Sequence, residues 1–187
     1  LMENAKEFIA LTDKELEKYT RRPNEIAHVL VDKALLYEAK LAEHTELEKK
    51  EISFLQENAL VRFYVQKKLE GTVNVTNNEI QSFYNANRNL FSNQNETNSD
   101  NIATQVYNFL YRQKLVANET KMIQEIIQNF QGDLVLTNDE VKYMSNNSVR
   151  ITAKYFDKIM IEEMKKENFF TPEADEIEEI KDKVQIN

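Results

Sequence analysis

Apolar side chains recur every three or four residues along most of this chain, which is the spacing of one face of an α-helix. Glycine and proline, which interrupt helices, are rare, with two of each in 187 residues. The pattern therefore predicts helices near 3–20, 25–43, 46–70, 77–89, 100–131, 138–145, 152–168 and 172–184. The predicted fold is all-α and elongated, because the helix at 100–131 alone would be about 45 Å long.

Capping motifs mark several of the predicted helix starts. A threonine followed three residues later by glutamate can form a capping box, in which each side chain accepts a hydrogen bond from a backbone amide at the helix end. Four pairs fit this motif: Thr12 with Glu15, Thr45 with Glu48, Thr76 with Glu79, and Thr137 with Glu140. Thr171 followed by Pro172 predicts a fifth start, since proline suits the first helical position.

Two predicted helices carry apolar residues over a wide arc. In the helix at 25–43, Val31 and Leu35 widen a stripe that consists of Ile26, Leu30, Ala34, Tyr37 and Leu41. A helix that is apolar over so much of its circumference is expected to lie inside the fold. The helix at 46–70 repeats this pattern and is expected to stop at Gly71.

Two short extended runs interrupt the helical pattern. Val73 and Val75 alternate with polar residues, which is the period of a β-strand. The segment 133–137 predicts a second short strand, which could pair with 73–75 or with 148–151. The predicted all-α fold therefore includes one or two very short strands.

The charge of the chain argues against nucleic acid as a ligand. The 24 Lys and Arg residues are outnumbered by 32 Asp and Glu, which gives a net charge of −8. No cluster of basic residues is present that could contact a phosphate backbone. No apolar run approaches the roughly 20 residues of a membrane-spanning helix. We therefore expect neither a nucleic-acid partner nor a membrane span in this chain.

Residue types that carry catalysis or bind metals are sparse. The chain has no cysteine and two histidines, His28 and His44, of which His44 lies at a helix end where histidine usually caps. The carboxylate pairs at 162–163 and 178–179 lie on amphipathic helices and are expected to be solvated. Two isolated glycines cannot build a phosphate-binding loop. We expect no catalytic residue, no metal site and no cofactor, and we do not expect an enzyme.

Two motifs carry a resemblance to a known family. Gly71 to Phe91, GTVNVTNNEIQSFYNANRNLF, resembles the pattern V-x-V-T-x-x-E-I-x-x-[FY]-Y-x-x-N-x-x-x-F. Leu30 to Lys40, LVDKALLYEAK, resembles the run L-[IV]-D-x-x-L-L-x-x-E-A. With these motifs the chain is similar to the SurA/PrsA-type N-terminal chaperone domain of parvulin foldases, a peptide-binding domain related to that of trigger factor.

The resemblance implies a domain organisation. Residues 1–145 would form the helical chaperone domain, and residues 146–187 would complete it or start a further module. The polar linker 92–100, SNQNETNSD, stands where the foldases insert their catalytic parvulin domain. Nine residues cannot hold such a domain, so prolyl isomerase activity is not expected.

The resemblance also implies a function and a location. The chain would be a non-catalytic, chaperone-like polypeptide-binding domain that holds extended apolar segments of unfolded or partly folded clients. Domains of this type act outside the cytoplasm, in the periplasm or cell envelope, so the targeting segment is expected to lie outside this chain. A homodimer is compatible with this function. The alternative is a structural adaptor that binds one specific folded partner in an envelope assembly.

Tyrosines are the candidate binding residues, because tyrosine combines an apolar ring with a polar tip and tolerates partial exposure. Tyr107 and Tyr111 lie one turn apart on the helix at 100–131, and Tyr64 lies one turn from Lys68 on the helix at 46–70. We therefore predict that Tyr64, Tyr107 and Tyr111 bind polypeptide.

Overall fold

The computed structural model of this protein describes residues 2–20, 22–91, 99–144 and 147–185. These residues form an all-α fold, and none of them belongs to a β-strand. The helices are α1 (Met2–Ile9), α2 (Asp13–Tyr19), α3 (Pro23–Leu41), α4 (Glu46–Leu69), α5 (Asn77–Ala86), α6 (Ser99–Asn129), α7 (Asn138–Tyr143), α8 (Ser148–Lys166) and α9 (Ala174–Gln185), with a short 3-10 helix at Arg88–Leu90. The all-α prediction is confirmed, whereas the predicted short strands do not form.

The helices group into two compact units. Unit 1 contains Leu1–Arg62 and Met144–Asn187, and unit 2 contains Phe63–Tyr143. The boundary falls within α4, so this helix begins in unit 1 and ends in unit 2. Residues 144–187 therefore belong to the same compact unit as residues 1–62. The domain limits that the resemblance implies, 1–145 and 146–187, stay a prediction.

All four predicted capping boxes are formed. The Thr12 amide donates to Glu15 Oε2 at 2.7 Å, and the Glu15 amide donates to Thr12 Oγ1 at 3.3 Å. The same reciprocal bonds join the threonine and glutamate of the other three boxes. Because Thr12 has an extended backbone, with φ −73° and ψ 161°, it separates α1 from α2. The prediction of one continuous helix over 3–20 was wrong for this reason.

In unit 1, α3 packs against α1, α2 and α9. The rings of Phe8 and Tyr37 lie 5.5 Å apart, and Lys33 Nζ pairs with the Glu15 carboxylate at 2.7 Å. The buried apolar residues of this unit come from α3, α4, α8, α9 and the residue that follows α7: Leu36, Leu60, Val61, Met144, Met160, Met164 and Ile177. The core of unit 1 therefore lies mainly among α4, α8 and α9.

The expectation that α3 lies at the centre of the fold was wrong. Leu36 of this helix is buried, but Val31, Leu35 and Leu41 are exposed. The apolar arc of α3 is wider than the surface that its neighbours in the described residues cover.

In unit 2, the segment that follows α4 is held to α6 by side chains. Lys114 Nζ donates to the Asn74 carbonyl at 2.6 Å, and Asn118 Nδ2 donates to the Thr72 carbonyl at 3.1 Å. These carbonyls would otherwise be acceptors for a neighbouring strand. The predicted strand at 73–75 is therefore replaced by an irregular segment, in which Val75 is buried.

The predicted helix stop at Gly71 is confirmed. The helix α4 ends at Leu69, and Gly71 adopts a φ of 72°, in the left-handed region that glycine enters at little cost. The Thr72 amide and hydroxyl both donate to the Leu69 carbonyl, at 3.1 and 2.8 Å. These bonds satisfy a helix-end carbonyl that would otherwise be unpaired.

The second predicted strand is also an irregular segment. Leu136 is buried and Val135 is exposed, as alternation predicts, but residues 133–137 do not form a strand. The predicted partner, 148–151, is the first turn of α8, because Asn147 Oδ1 caps this helix by accepting from the Arg150 amide at 3.1 Å.

The turn between α8 and α9 differs from the predicted helix start at Thr171. Asn168 has a φ of 55°, and the Phe169 amide donates to the Met164 carbonyl at 2.9 Å, which completes a Schellman-type end of α8. The Thr171 hydroxyl donates to Asn168 Oδ1 at 3.0 Å. Thr171 therefore belongs to this turn, and α9 begins at Ala174.

The long helix predicted at 100–131 is confirmed as α6, Ser99–Asn129. Of the predicted linker 92–100, residues 92–98 lie outside the described residues, and the last two belong to α6.

Candidate functional site

Tyr107 and Tyr111 form a stacked pair on α6, which we call the tyrosine pair. Their ring centres lie 6.0 Å apart with an angle of 23° between the ring planes. Tyr107 is 41% exposed and Tyr111 is half-buried. The structure therefore brings two of the three predicted binding residues together, with part of the pair open to solvent.

Tyr64, the third predicted residue, is fully buried. The expectation that it is partly exposed was wrong, because the last three turns of α4 are covered on several sides. Leu60, Val61, Val65 and Leu69 of the same stretch are buried with it. A client segment cannot reach the Tyr64 ring in this structure.

An apolar stripe on α6 was not singled out from the sequence. Phe109, Val116 and Ile127 are 52, 59 and 45% exposed. Their spacing of seven and eleven residues places them on one face of the helix, since two and three turns take about seven and eleven residues. We call these three residues the α6 stripe. The signal that could have found it is the recurrence of Ile102, Phe109, Val116 and Ile123 at every seventh position.

The α6 stripe and the tyrosine pair lie on opposite sides of α6. Tyr107 and Tyr111 are each two residues from Phe109, and two residues turn a helix by about 200°. The Phe109 ring lies 5.0 Å from the ring of Phe83 on α5. The Phe109 end of the stripe is therefore partly fixed by packing against α5.

In unit 1, polar side chains join α4 to α8. Three pairs bridge the two helices: Glu51 with Arg150, Glu57 with Lys154, and Asn58 with Asp157. Both contacts of the first pair are short, with Arg150 Nη2 donating to the two Glu51 oxygens at 2.8 and 2.6 Å. The pairs follow the same order along both sequences, so α4 and α8 run in parallel here. We call these six residues the polar cluster.

Asp157 is the most deeply buried carboxyl in the polar cluster, with 2% exposure. Burial raises its pKa from 3.8 to about 6, against the lowering effect of the hydrogen bond that Asn58 Nδ2 donates at 2.7 Å. The nearby Glu57 carboxylate also raises this pKa, while Lys154 and Arg62 lower it. A raised pKa can mark a catalytic acid, but a carboxyl enclosed between two helices cannot reach a substrate. Asp157 therefore affects the pH dependence of stability.

A groove of about 440 Å³ lies between α4 and α9 in unit 1. Leu55 and Ala59 of α4 and Ile180 and Val184 of α9 form its apolar lining, and we call it the α4–α9 groove. Ligand-binding pockets usually have volumes of about 300–1,000 Å³, so this groove can accept a few side chains.

Three polar residues complete the lining of the α4–α9 groove: Asn58, Arg62 and Lys183. Asn58 also belongs to the polar cluster, in which it donates to Asp157, so it is common to the groove and the cluster. Beside the groove, Gln56 Nε2 donates to the Lys181 carbonyl at 3.2 Å and ties α4 to α9. No local sequence pattern indicates this site, because its two walls are separated by more than a hundred residues of chain.

The remaining predictions about chemistry concern histidines, metals and membranes. His44 Nε2 lies 3.2 Å from the Ala39 carbonyl near the end of α3, in agreement with the predicted capping role. Within the described ranges, no group of His, Asp and Glu side chains is placed to hold a metal ion. No helix in these ranges combines the length and apolar character that crossing a bilayer requires.

No protein-family model, curated protein or solved structure matches this chain.

Proposed function

We propose that this chain is a non-catalytic, chaperone-like domain of the cell envelope that binds extended apolar segments of client polypeptides. The observation that carries the proposal is the exposed apolar surface of α6. Grouped apolar side chains in solvent are typical of protein interaction sites. The location follows from the SurA/PrsA-type resemblance of the motifs at 30–40 and 71–91.

The mechanism is transient burial of client side chains against α6. Full burial of one large apolar side chain contributes about 1.5–3 kcal/mol, and the residues of the α6 stripe are already about half covered. Each therefore contributes a fraction of that amount, so several contacts together give weak and reversible binding. Release then needs no nucleotide.

The tyrosine pair adds a second contact surface on the other side of α6. An exposed tyrosine ring offers apolar area while its hydroxyl keeps contact with water, as partly wet recognition surfaces require. Because Tyr107 and Tyr111 are already stacked, a client that packs on them need not order the two rings. Less conformational entropy is lost on binding when the side chains are already arranged.

The test is the affinity for a chemically unfolded, fluorescently labelled client, measured by anisotropy. Replacing Tyr107 and Tyr111 with Ser should weaken binding by about 1–3 kcal/mol, the usual range for aromatic contacts, and should leave helicity unchanged. Val116→Ser with Ile127→Ser should weaken it similarly. Lys121→Ser is the matched control, because this α6 side chain is 78% exposed and polar. Equal affinities for all four proteins would refute a binding role for α6.

A structural adaptor that binds one folded partner is the second candidate. The recurrence of apolar residues at every seventh position from Ile102 to Ile123 favours it, since this spacing suits packing against a partner helix. An adaptor should bind one partner and none of several unrelated unfolded clients. The α6 variants distinguish the two candidates by which of these ligands they lose.

A further inference from the structure

We propose that the α4–α9 groove binds client segments in which aliphatic side chains are flanked by aspartate or glutamate. This inference rests on the proposed polypeptide-binding function and adds to it a second contact site in unit 1 and a class of client sequence.

The apolar lining of the groove accounts for the aliphatic part of such a segment. Leu55, a large apolar residue of this lining, is exposed. Ala59 faces the same space with a small side chain, which leaves room that a leucine or valine of the client can fill. A short aliphatic run would therefore cover the exposed Leu55 side chain as it enters the groove.

The charge of the lining accounts for the acidic flanks. Arg62 and Lys183 are both cationic, and the residues that line the groove in the described part of the chain include no carboxylate. The charged side chains that line the groove are thus cationic although the whole chain has a net charge of −8. A client carboxylate can receive two hydrogen bonds from the planar guanidinium of Arg62, and Lys183 adds a second positive charge to the same groove.

Asn58 offers a contact to the client backbone. Its Nδ2 already donates to Asp157, and its carboxamide oxygen can accept a hydrogen bond from a peptide N–H. Apolar, anionic and amide groups occur together in an extended acidic polypeptide, so we assign the groove to such a segment and not to a purely aliphatic ligand.

The experiment uses three short fluorescent peptides with the same Leu-Val-Leu centre, flanked by Glu, Gln or Lys. The Glu peptide should bind most tightly, and the Lys peptide about tenfold or more weakly at low salt. The difference should shrink as salt is added, because exposed charges are screened. Arg62→Gln combined with Lys183→Gln should remove the preference, while Lys121→Gln on α6 should leave it intact. Ala59→Phe should weaken binding of all three peptides by filling the groove.

Each other outcome has a definite meaning. Equal affinity for the Glu and Lys peptides, or a preference that survives the double variant, overturns the inference. If an unfolded client protein binds but none of the three peptides does, the inference fails and the proposed function stands. If neither client nor peptides bind, both fail. If Ala59→Phe changes the association state in sedimentation without changing peptide affinity, the groove belongs to a second copy of the chain. If Ala59→Phe loses helicity, the variant that combines Arg62→Gln and Lys183→Gln tests the inference in its place.

Discussion

Replacing Asp157 with Asn should stabilise the protein at neutral pH. Asp157 is 2% exposed and lies between α4 and α8, where burial disfavours its ionised form. Asparagine has nearly the same shape and keeps an oxygen that can accept the hydrogen bond from Asn58 Nδ2. The substitution therefore removes the cost of a buried charge and keeps the contact between the helices.

The size of the effect follows from the pKa of Asp157. Burial raises this pKa from 3.8 to about 6. One pKa unit corresponds to 1.36 kcal/mol, so ionisation of this group costs at most about 3 kcal/mol of stability at pH 7. The carboxylate also attracts Lys154 and Arg62, and the raised pKa already includes that attraction. We expect the variant to gain about 1–3 kcal/mol, or a few degrees in melting temperature.

The pH dependence of the stability gain shows whether ionisation of Asp157 is its cause. A carboxyl whose pKa is higher in the folded state than in the unfolded state makes the folded protein bind more protons between those two pKa values. Its cost is therefore full above about pH 6 and disappears as the pH falls below about 4. The advantage of Asp157→Asn should be largest at pH 7 to 8 and should vanish near pH 4. Urea unfolding followed by circular dichroism at several pH values measures this difference.

Asp175→Asn is the matched control for this prediction. The Asp175 side chain is 89% exposed and pairs with Lys14 at 3.3 Å, and such surface pairs contribute about 0–1 kcal/mol. This control should therefore change stability little at any pH. An Asp157→Asn variant that is less stable than the parent at pH 7, or whose advantage does not depend on pH, would refute the reasoning.

Four further substitutions test other parts of the structure. Gly71→Ala should destabilise by about 1–2 kcal/mol in urea unfolding, because the φ of 72° is costly for alanine; an unchanged midpoint would contradict the observed end of α4. The hydrogen bond from Lys114, together with those from the Thr76 capping box, lowers the pKa of Glu79 from 4.5 to about 2, so Glu79 stabilises the protein above about pH 4.5 and this contribution is lost towards pH 2. Glu79→Gln should therefore lower the melting temperature at pH 7 and match the parent near pH 2, and a difference that persists there would exclude this cause. Leu60→Ala removes a buried side chain and should lower the free energy of unfolding by about 2–5 kcal/mol. Leu35→Ala should lower it by under about 1 kcal/mol, since Leu35 is exposed. Equal losses of stability would show that α3 is more central than it is in this structure.

Local signals in the sequence predicted the local structure well. The four capping boxes and the stop at Gly71 depend on residues within a few positions of each other, so their geometry can be inferred without knowledge of the fold. At Thr12 the capping box itself marks the break between α1 and α2, although the apolar spacing alone predicts one helix over 3–20.

Predictions that depended on distant contacts were less accurate. The alternation at 73–75 resembles a strand, but Lys114, some 40 residues away, takes the Asn74 carbonyl. Tyr64 and Leu35 have similar apolar neighbours in sequence, yet Tyr64 is buried and Leu35 is exposed. Which side of a helix is covered depends on the partners that the fold supplies, and a single sequence with degenerate apolar patterns does not specify them.

The candidate sites show the same difference between features that depend on local residues and features that depend on distant contacts. The tyrosine pair was found because its two members lie one turn apart on one helix. The α4–α9 groove was missed because Ala59 and Ile180 meet only in the folded structure. Sequence reasoning therefore detects sites that one element builds, and misses sites that two distant elements build together.

The most direct test of the central claim is light scattering from several unrelated proteins as they aggregate, with and without this chain. The proposed chaperone-like function predicts that near-stoichiometric amounts of the chain reduce aggregation of most of these clients without nucleotide. It also predicts that the variant with Ser at positions 107 and 111 is less effective, while the Lys121→Ser control is as effective as the parent. Aggregation that proceeds unchanged for every client in the presence of the chain would contradict the claim.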